Sequence, residues 1–134
     1  MVRFHTIHKY LLMAHSPQYY RALSRLASQA EQHRPQELAS LYGELFMKVL
    51  AMKATVRKQV NVLQHMLGYF KKRLSAQEKS ELLGAIGEYH RELTPLIVPL
   101  TLIKHYVQVF DVSYLLDQVY LNPSPHELIL KHHV

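Results

Sequence analysis

The sequence predicts an all-α fold, a compact bundle of about six to seven helices. Apolar residues recur at helical spacing along most of the chain, and no stretch combines strict apolar/polar alternation with β-branched residues. Hydrophobic residues make up 49% of the 134 residues, which is enough to bury a core. Because this length fits one domain, we expect residues 1–134 to form a single helical domain.

Two proline breaks divide the first third of the chain. A first helix is predicted from 2 to about 14. Ser16 is typical of an N-cap and Pro17 of the first helical position, so they predict a second helix over about 17–31. Pro35 marks the next break and the start of a longer helical pattern.

The pattern from 36 to 74 contains no proline. A single straight helix of this length would reach roughly 58 Å at about 1.5 Å per residue. Because that is long for a domain of this size, we predict a bend or short turn near 53–56.

Local signals also place the elements of the C-terminal half. Ser75 and Glu78 have the spacing of a capping box, which predicts a helix over about 76–92. A further helix runs to about Phe110, with Pro99 either kinking it or starting its regular part. The remaining elements are a short helix over about 113–121 and a tail, 127–134, that is expected to pack on the bundle.

Composition excludes several classes of protein. The chain has no cysteine, which rules out a disulfide framework, a cysteine-ligated zinc site and a cysteine-bound iron–sulfur cluster within it. Its longest apolar run, 96–103, is far below the roughly 20 residues of a membrane-spanning helix. Histidines and a lysine interrupt the N-terminus too early for a signal peptide. We therefore expect a cytoplasmic protein with no membrane partner.

The positive charges are concentrated in two segments. The formal net charge is +6, from 16 lysines and arginines and 10 acidic residues. Residues 1–30 carry four of these bases and residues 45–77 carry seven, and neither segment contains an acid. The rest of the chain holds all ten acids and is net acidic. This uneven distribution of charge favours an anionic partner.

Treated as one helix, residues 53–74 separate an apolar stripe from a polar face. The stripe comprises Val56, Val60, Leu63, Leu67, Phe70 and Leu74. Bases, an amide, an imidazole and an aromatic ring on the other face match phosphates and exposed bases. The candidate RNA-binding residues, including two from the N-terminal segment, are Lys9, His15, Arg57, Lys58, Asn61, His65, Tyr69, Lys71 and Lys72. The alternative is a solvated helix face on which Asn61 and His65 bind neighbouring helix ends.

The ten histidines suggest other roles. His5 and His8 share a helix face and could hold a metal, but no carboxylate precedes Glu31 to complete a local set. We therefore assign no metal site and keep these two as an alternative. His105 follows an apolar segment and is either a buried polar anchor or part of a pocket. No nucleophile is paired with a base, so a non-catalytic role without a cofactor is favoured.

Five collinear motifs make the chain recognisable. They are HKYLLMAHS at 8–16, NVLQHMLGYFKK at 61–72, EKSEL at 78–82, PLIVPLTL at 95–102 and YLLDQVYLNP at 114–123. Together with His105 they cover nearly the whole chain and resemble the bacterial YbgA family, a domain of unknown function.

This resemblance carries a functional expectation. Similar domains occur alone and also fused to a cysteine-rich desulfurase domain, where the chemistry is removal of sulfur from thiouridine in tRNA. The resemblance implies that this chain is an accessory RNA-binding domain, with tRNA as the favoured ligand. In the fused proteins the cysteines that hold the iron–sulfur cluster belong to the other domain. An alternative is an interaction module that docks a desulfurase enzyme, and homo-oligomers are compatible with both.

Overall fold

A computed structural model describes residues 1–123 of the chain, so the predicted tail at 127–134 lies outside the described residues. This part contains no strand. Its eight α-helices are α1 (Val2–Ile7), α2 (Lys9–His15), α3 (Pro17–Ser28), α4 (Pro35–Ala51), α5 (Val56–Leu67), α6 (Ala76–His90), α7 (Ile97–Val109) and α8 (Ser113–Leu116). The predicted all-α bundle is confirmed. None of these helices has the length and apolar character that a membrane crossing requires.

The predicted helix starts are confirmed where a side chain caps the helix. The Ser16 hydroxyl accepts a hydrogen bond from the Tyr19 amide at 3.1 Å, and Pro17 opens α3. The Glu78 amide donates to the Ser75 hydroxyl at 3.1 Å, while the Ser75 amide donates to the Glu78 carboxylate at 2.8 Å. These bonds satisfy amides that the first helical turn leaves without partners, so they fix each start locally.

The long pattern from 36 to 74 is interrupted twice. Residues 52–55 separate α4 from α5, which confirms the predicted bend. Helix α5 then ends at Leu67, seven residues earlier than the pattern suggested, and a 3-10 turn follows at Lys71–Arg73. Phe70 lies beyond the end of α5 but is still buried in the core, where its ring centre lies 5.9 Å from that of Tyr106.

The prediction of one first helix was wrong, because His8 separates α1 from α2. A distant side chain satisfies the polar groups at this break. The buried Gln118 donates from its Nε2 atom to the Thr6 carbonyl at 2.8 Å and accepts from the Tyr10 amide at 3.3 Å. No pattern within the first 16 residues could indicate a partner more than 100 residues away.

Helix α2 lies between two apolar cores because different faces of it are buried in each. The larger core includes Tyr10, Met13, Val60, Leu63, Leu82, Ile103 and Leu115. The smaller core consists of Leu12, Leu23, Tyr42 and Val49, from α2, α3 and α4. Helix α2 thereby joins the N-terminal helices to the α5–α8 half of the bundle.

Helices α2 and α5 pack against each other in antiparallel orientation. Tyr10, near the start of α2, contacts Tyr69, just beyond the end of α5. His15, the last residue of α2, contacts Lys58 in the first turn of α5. This pairing brings the acid-free segments 1–30 and 45–77 together, although they are far apart in sequence.

Candidate nucleic-acid interface

The outward face of α5 is polar and carries positive charge. Arg57 and His65 are exposed, as the helical periodicity predicted, whereas Asn61 on the same side is half-buried. These three positions span roughly 12 Å along the helix at about 1.5 Å per residue. Lys71 and Lys72 are exposed beyond the end of α5. Because the helix does not extend to these two lysines, the 3-10 turn sets the directions in which their side chains project.

These cations are not neutralised by acidic neighbours. Within residues 1–123, the one ion pair shorter than 4 Å joins His33 to Glu37 at 3.7 Å. No lysine or arginine of residues 45–77 therefore contacts a described carboxylate. Charge that is not paired locally contributes to a positive potential that attracts anions at a distance. The α5 face is thus available to an anionic ligand.

Two of the predicted contact residues serve the fold. The Lys58 ammonium donates to the His15 carbonyl at 2.8 Å, and the His15 ring nitrogen Nδ1 donates to the Met52 carbonyl at 2.7 Å. The Arg73 guanidinium donates to the Phe110 carbonyl at 2.8 Å, at the end of α7. Cations here satisfy carbonyls that a helix C-terminus leaves without amide partners. We therefore exclude Lys58 and His15 from the ligand-contacting set.

Three separate segments, namely α2, the turn after α5 and α8, bring aromatic rings and a cation together at the N-terminal end of α2. We call Lys9, Tyr10, Tyr69 and Tyr114 the tyrosine cluster. The rings of Tyr69 and Tyr114 are stacked, with centres 5.6 Å apart and planes 14° from parallel. They are 45% and 38% exposed, so the pair faces solvent. The Lys9 ammonium lies 5.9 Å from the Tyr114 ring centre.

Buried contacts hold the tyrosine cluster in place. Tyr10 is 1% exposed, and its hydroxyl donates to the Tyr69 hydroxyl at 3.3 Å. Burial raises the pKa of Tyr10, and the hydrogen bond to Tyr69 raises it further. Burial also raises the pKa of Tyr114, although the nearby Lys9 charge opposes this. Both phenols therefore remain neutral near neutral pH.

Sequence reasoning identified Lys9 and Tyr69 but missed Tyr114 as their neighbour. Tyr114 belongs to α8, 45 positions after Tyr69, and nothing in its local sequence distinguishes it from a packing residue. Its place in the YLLDQVYLNP motif was the one available signal.

The remaining histidine candidates are not assembled into a site. The two ring nitrogens of His5 contact the Tyr42 hydroxyl at 2.8 Å and the Ser24 hydroxyl at 2.9 Å. His8 Nδ1 contacts the Phe4 carbonyl. Across residues 1–123, no three or more histidine, aspartate or glutamate side chains lie close enough to hold a metal ion. His105 is exposed on α7, so it is neither a buried anchor nor part of the cleft described below.

We expect His5 to make folding depend on pH. Burial, followed by the nearby His8, lowers the pKa of His5 below its ordinary value of 6.5. The unfolded chain therefore binds a proton more readily, and stability should fall as pH drops through 6.5. Urea unfolding between about pH 7 and about pH 5 would measure this slope. The slope should be smaller in His5→Gln and unchanged in His90→Gln, and an unchanged slope in His5→Gln would contradict the assignment.

A large open cleft of about 1280 Å³ lies where α2, the 52–55 linker and the α6–α7 connection meet. His15 contributes to its lining, together with Gln59 and Thr94. The Thr94 hydroxyl oxygen is buried and has no hydrogen-bond partner among the described residues. The walls are mainly apolar side chains, such as Leu11 and Leu100. The cleft thus differs in character from the cationic face of α5.

Comparison with known proteins places the chain in a family. A family model described as a protein of unknown function (DUF1722) matches residues 9–125. The chain belongs to this family. The uncharacterised protein YbgA of Escherichia coli (strain K12) is 31% identical over 135 residues, which cover 98% of this chain and 79% of the relative. The family resemblance is therefore confirmed, and no solved structure matches the chain significantly.

Proposed function

We propose that this DUF1722 domain binds RNA, with tRNA as the favoured ligand, and that it acts without catalysis of its own. The observation that carries the proposal is the set of unpaired cations near the two ends of α5, Arg57 in its first turn and Lys71 and Lys72 in the 3-10 turn that follows it. Arg57, Lys71 and Lys72 are exposed, and no described carboxylate lies within 4 Å of them. A phosphate backbone is the polyanion whose binding such a set of cations supports.

The resemblance to desulfurase-fused domains gives this proposal its context. Desulfuration of thiolated uridine requires a tRNA to be held while a cysteine-rich domain carries out the chemistry. These 134 residues contain no cysteine, so the chemistry would come from a different domain or a different protein. The contribution of this chain would be the cationic surface.

Binding to tRNA should weaken steeply as salt rises. Each phosphate contact lowers log K by about 0.9 per tenfold increase in salt, because bound counterions are released on association. Three contacts from Arg57, Lys71 and Lys72 would give a slope of roughly −3. Fluorescence polarisation with labelled tRNA at several salt concentrations would measure this slope. Absence of binding even at low salt would refute the proposal.

A second candidate, protein docking, is favoured by a different surface. Phe4, Met47 and Met1 are 45%, 64% and 46% exposed and line a shallow apolar depression of about 320 Å³ between α1 and α4. Exposed apolar patches of this kind commonly mark protein contacts. Co-purification with a cysteine-rich desulfurase that survives nuclease treatment and is lost in Met47→Glu would favour docking. Co-purification that nuclease abolishes would favour RNA.

A further inference from the structure

We propose that the tyrosine cluster binds an unpaired nucleotide, whose base stacks on the exposed Tyr69–Tyr114 pair beside Lys9. This inference rests on the proposed RNA binding and adds the class of RNA that is recognised. It predicts a preference for loops, ends or single strands over continuous duplex.

The geometry of the cluster suits a stacked base. The two rings are already within 14° of parallel, and their 45% and 38% exposure leaves ring surface open to solvent. A nucleobase can extend this stack as a third ring, and any base can do so because every base has a π face. The hydrogen bond from Tyr10 restrains the Tyr69 ring before a ligand arrives, which reduces the entropy lost on binding.

Duplex RNA cannot use such a surface. Base faces within a helix are covered by their neighbours, so aromatic side chains reach only nucleotides that are splayed out of the stack. The exposed aromatic pair therefore distinguishes unpaired from paired nucleotides without reading the identity of the base.

Lys9 supplies charge at the same place. Its ammonium lies 5.3 Å from the Tyr10 ring centre and 5.9 Å from that of Tyr114, and no described carboxylate pairs with it. A nucleotide stacked on the pair brings its phosphate close to this cation. The exposed polar face of α5 begins beside Tyr69 and continues to Arg57, roughly 18 Å away at about 1.5 Å per residue. This face can therefore follow the backbone of the adjoining nucleotides.

The test compares a short single-stranded RNA carrying 2-aminopurine with the same strand annealed to its complement. The chain has no tryptophan, so the probe's fluorescence can be followed without interference from that residue. Stacking should quench the probe in the single strand. Tyr69→Ala should weaken single-strand binding about tenfold, because alanine removes the aromatic surface on which the base stacks. Duplex binding should be unchanged.

Three further variants separate stacking from folding. Tyr69→Phe should retain the quench, whereas Tyr69→Leu should lose it while keeping apolar surface at this position. Tyr19→Ala is the matched control, because Tyr19 is 39% exposed but lies outside the cluster. If the protein binds both RNA forms equally and no Tyr69 variant alters that binding, this inference is overturned while the proposal of RNA binding stands. Failure of the wild-type protein to bind either form or tRNA would overturn the proposed function itself.

Discussion

Replacing Gln118 with leucine should lower the free energy of unfolding by about 3 kcal/mol. The side chain is fully buried, and its amide bridges the break between α1 and α2. Leucine has a similar size but can neither accept from the Tyr10 amide nor donate to the Thr6 carbonyl. Each polar group left buried without a partner costs about 1–3 kcal/mol.

The local structure gives the Tyr10 amide and the Thr6 carbonyl no easy replacement for the Gln118 side chain. The N-cap of α2 is His8, whose side chain makes no capping hydrogen bond to the first turn. The adjacent Val119 amide already donates to the Ile7 carbonyl at 2.9 Å, which holds the C-terminal segment against the same break. Loss of the Gln118 side-chain amide should therefore loosen both the α1–α2 junction and the C-terminal segment that packs against it.

Urea unfolding followed by circular dichroism would measure the effect of Gln118→Leu. The midpoint should fall, while the dependence of free energy on urea should stay the same if the folded state is retained. Gln108→Leu makes the same change at an exposed position of α7 and should alter stability by less than about 0.5 kcal/mol. Equal midpoints for the two variants would show that the bridge contributes little.

The second large effect concerns the cationic face. The double variant Arg57→Glu, Lys72→Glu should weaken tRNA binding about 60-fold in about 0.1 M salt. At that salt concentration each lost phosphate contact lowers affinity roughly eightfold, and the introduced carboxylates add repulsion. Lys58 is left unchanged, because its hydrogen bond to the His15 carbonyl means that its replacement would also disturb the fold.

A matched variant separates local contacts from net charge. Arg34→Glu, Arg91→Glu changes net charge by the same amount at two exposed positions outside the acid-free segments. It should reduce tRNA affinity only slightly and leave the salt dependence close to that of the wild type. Equal losses in the two double variants would show that overall charge governs binding and that the α5 face has no special role.

Much of the candidate surface was predictable because helical periodicity fixes which side of α5 faces solvent. Arg57 and His65 are exposed for this reason, whereas Asn61 on the same side is half-buried. The roles of Lys58 and His15 were not predictable, because they depend on carbonyls at the ends of other segments. Long side chains near a helix border can reach either solvent or a neighbouring helix, and only packing decides which.

By itself, the sequence determined the all-α class, the capped starts of α3 and α6, the bend between α4 and α5 and the two acid-free segments. The fold class and the capped starts depend on residues a few positions apart, the acid-free segments depend on composition, and the bend was predicted from the length of the uninterrupted pattern. None of these predictions requires knowledge of a tertiary contact. The tertiary structure decided the break at His8 and the tyrosine cluster. The bond from Tyr10 to Gln118 spans 108 residues, and Lys9, Tyr69 and Tyr114 come from three separate segments of the chain. Their proximity depends on how α2 packs between the two cores, which no local pattern encodes.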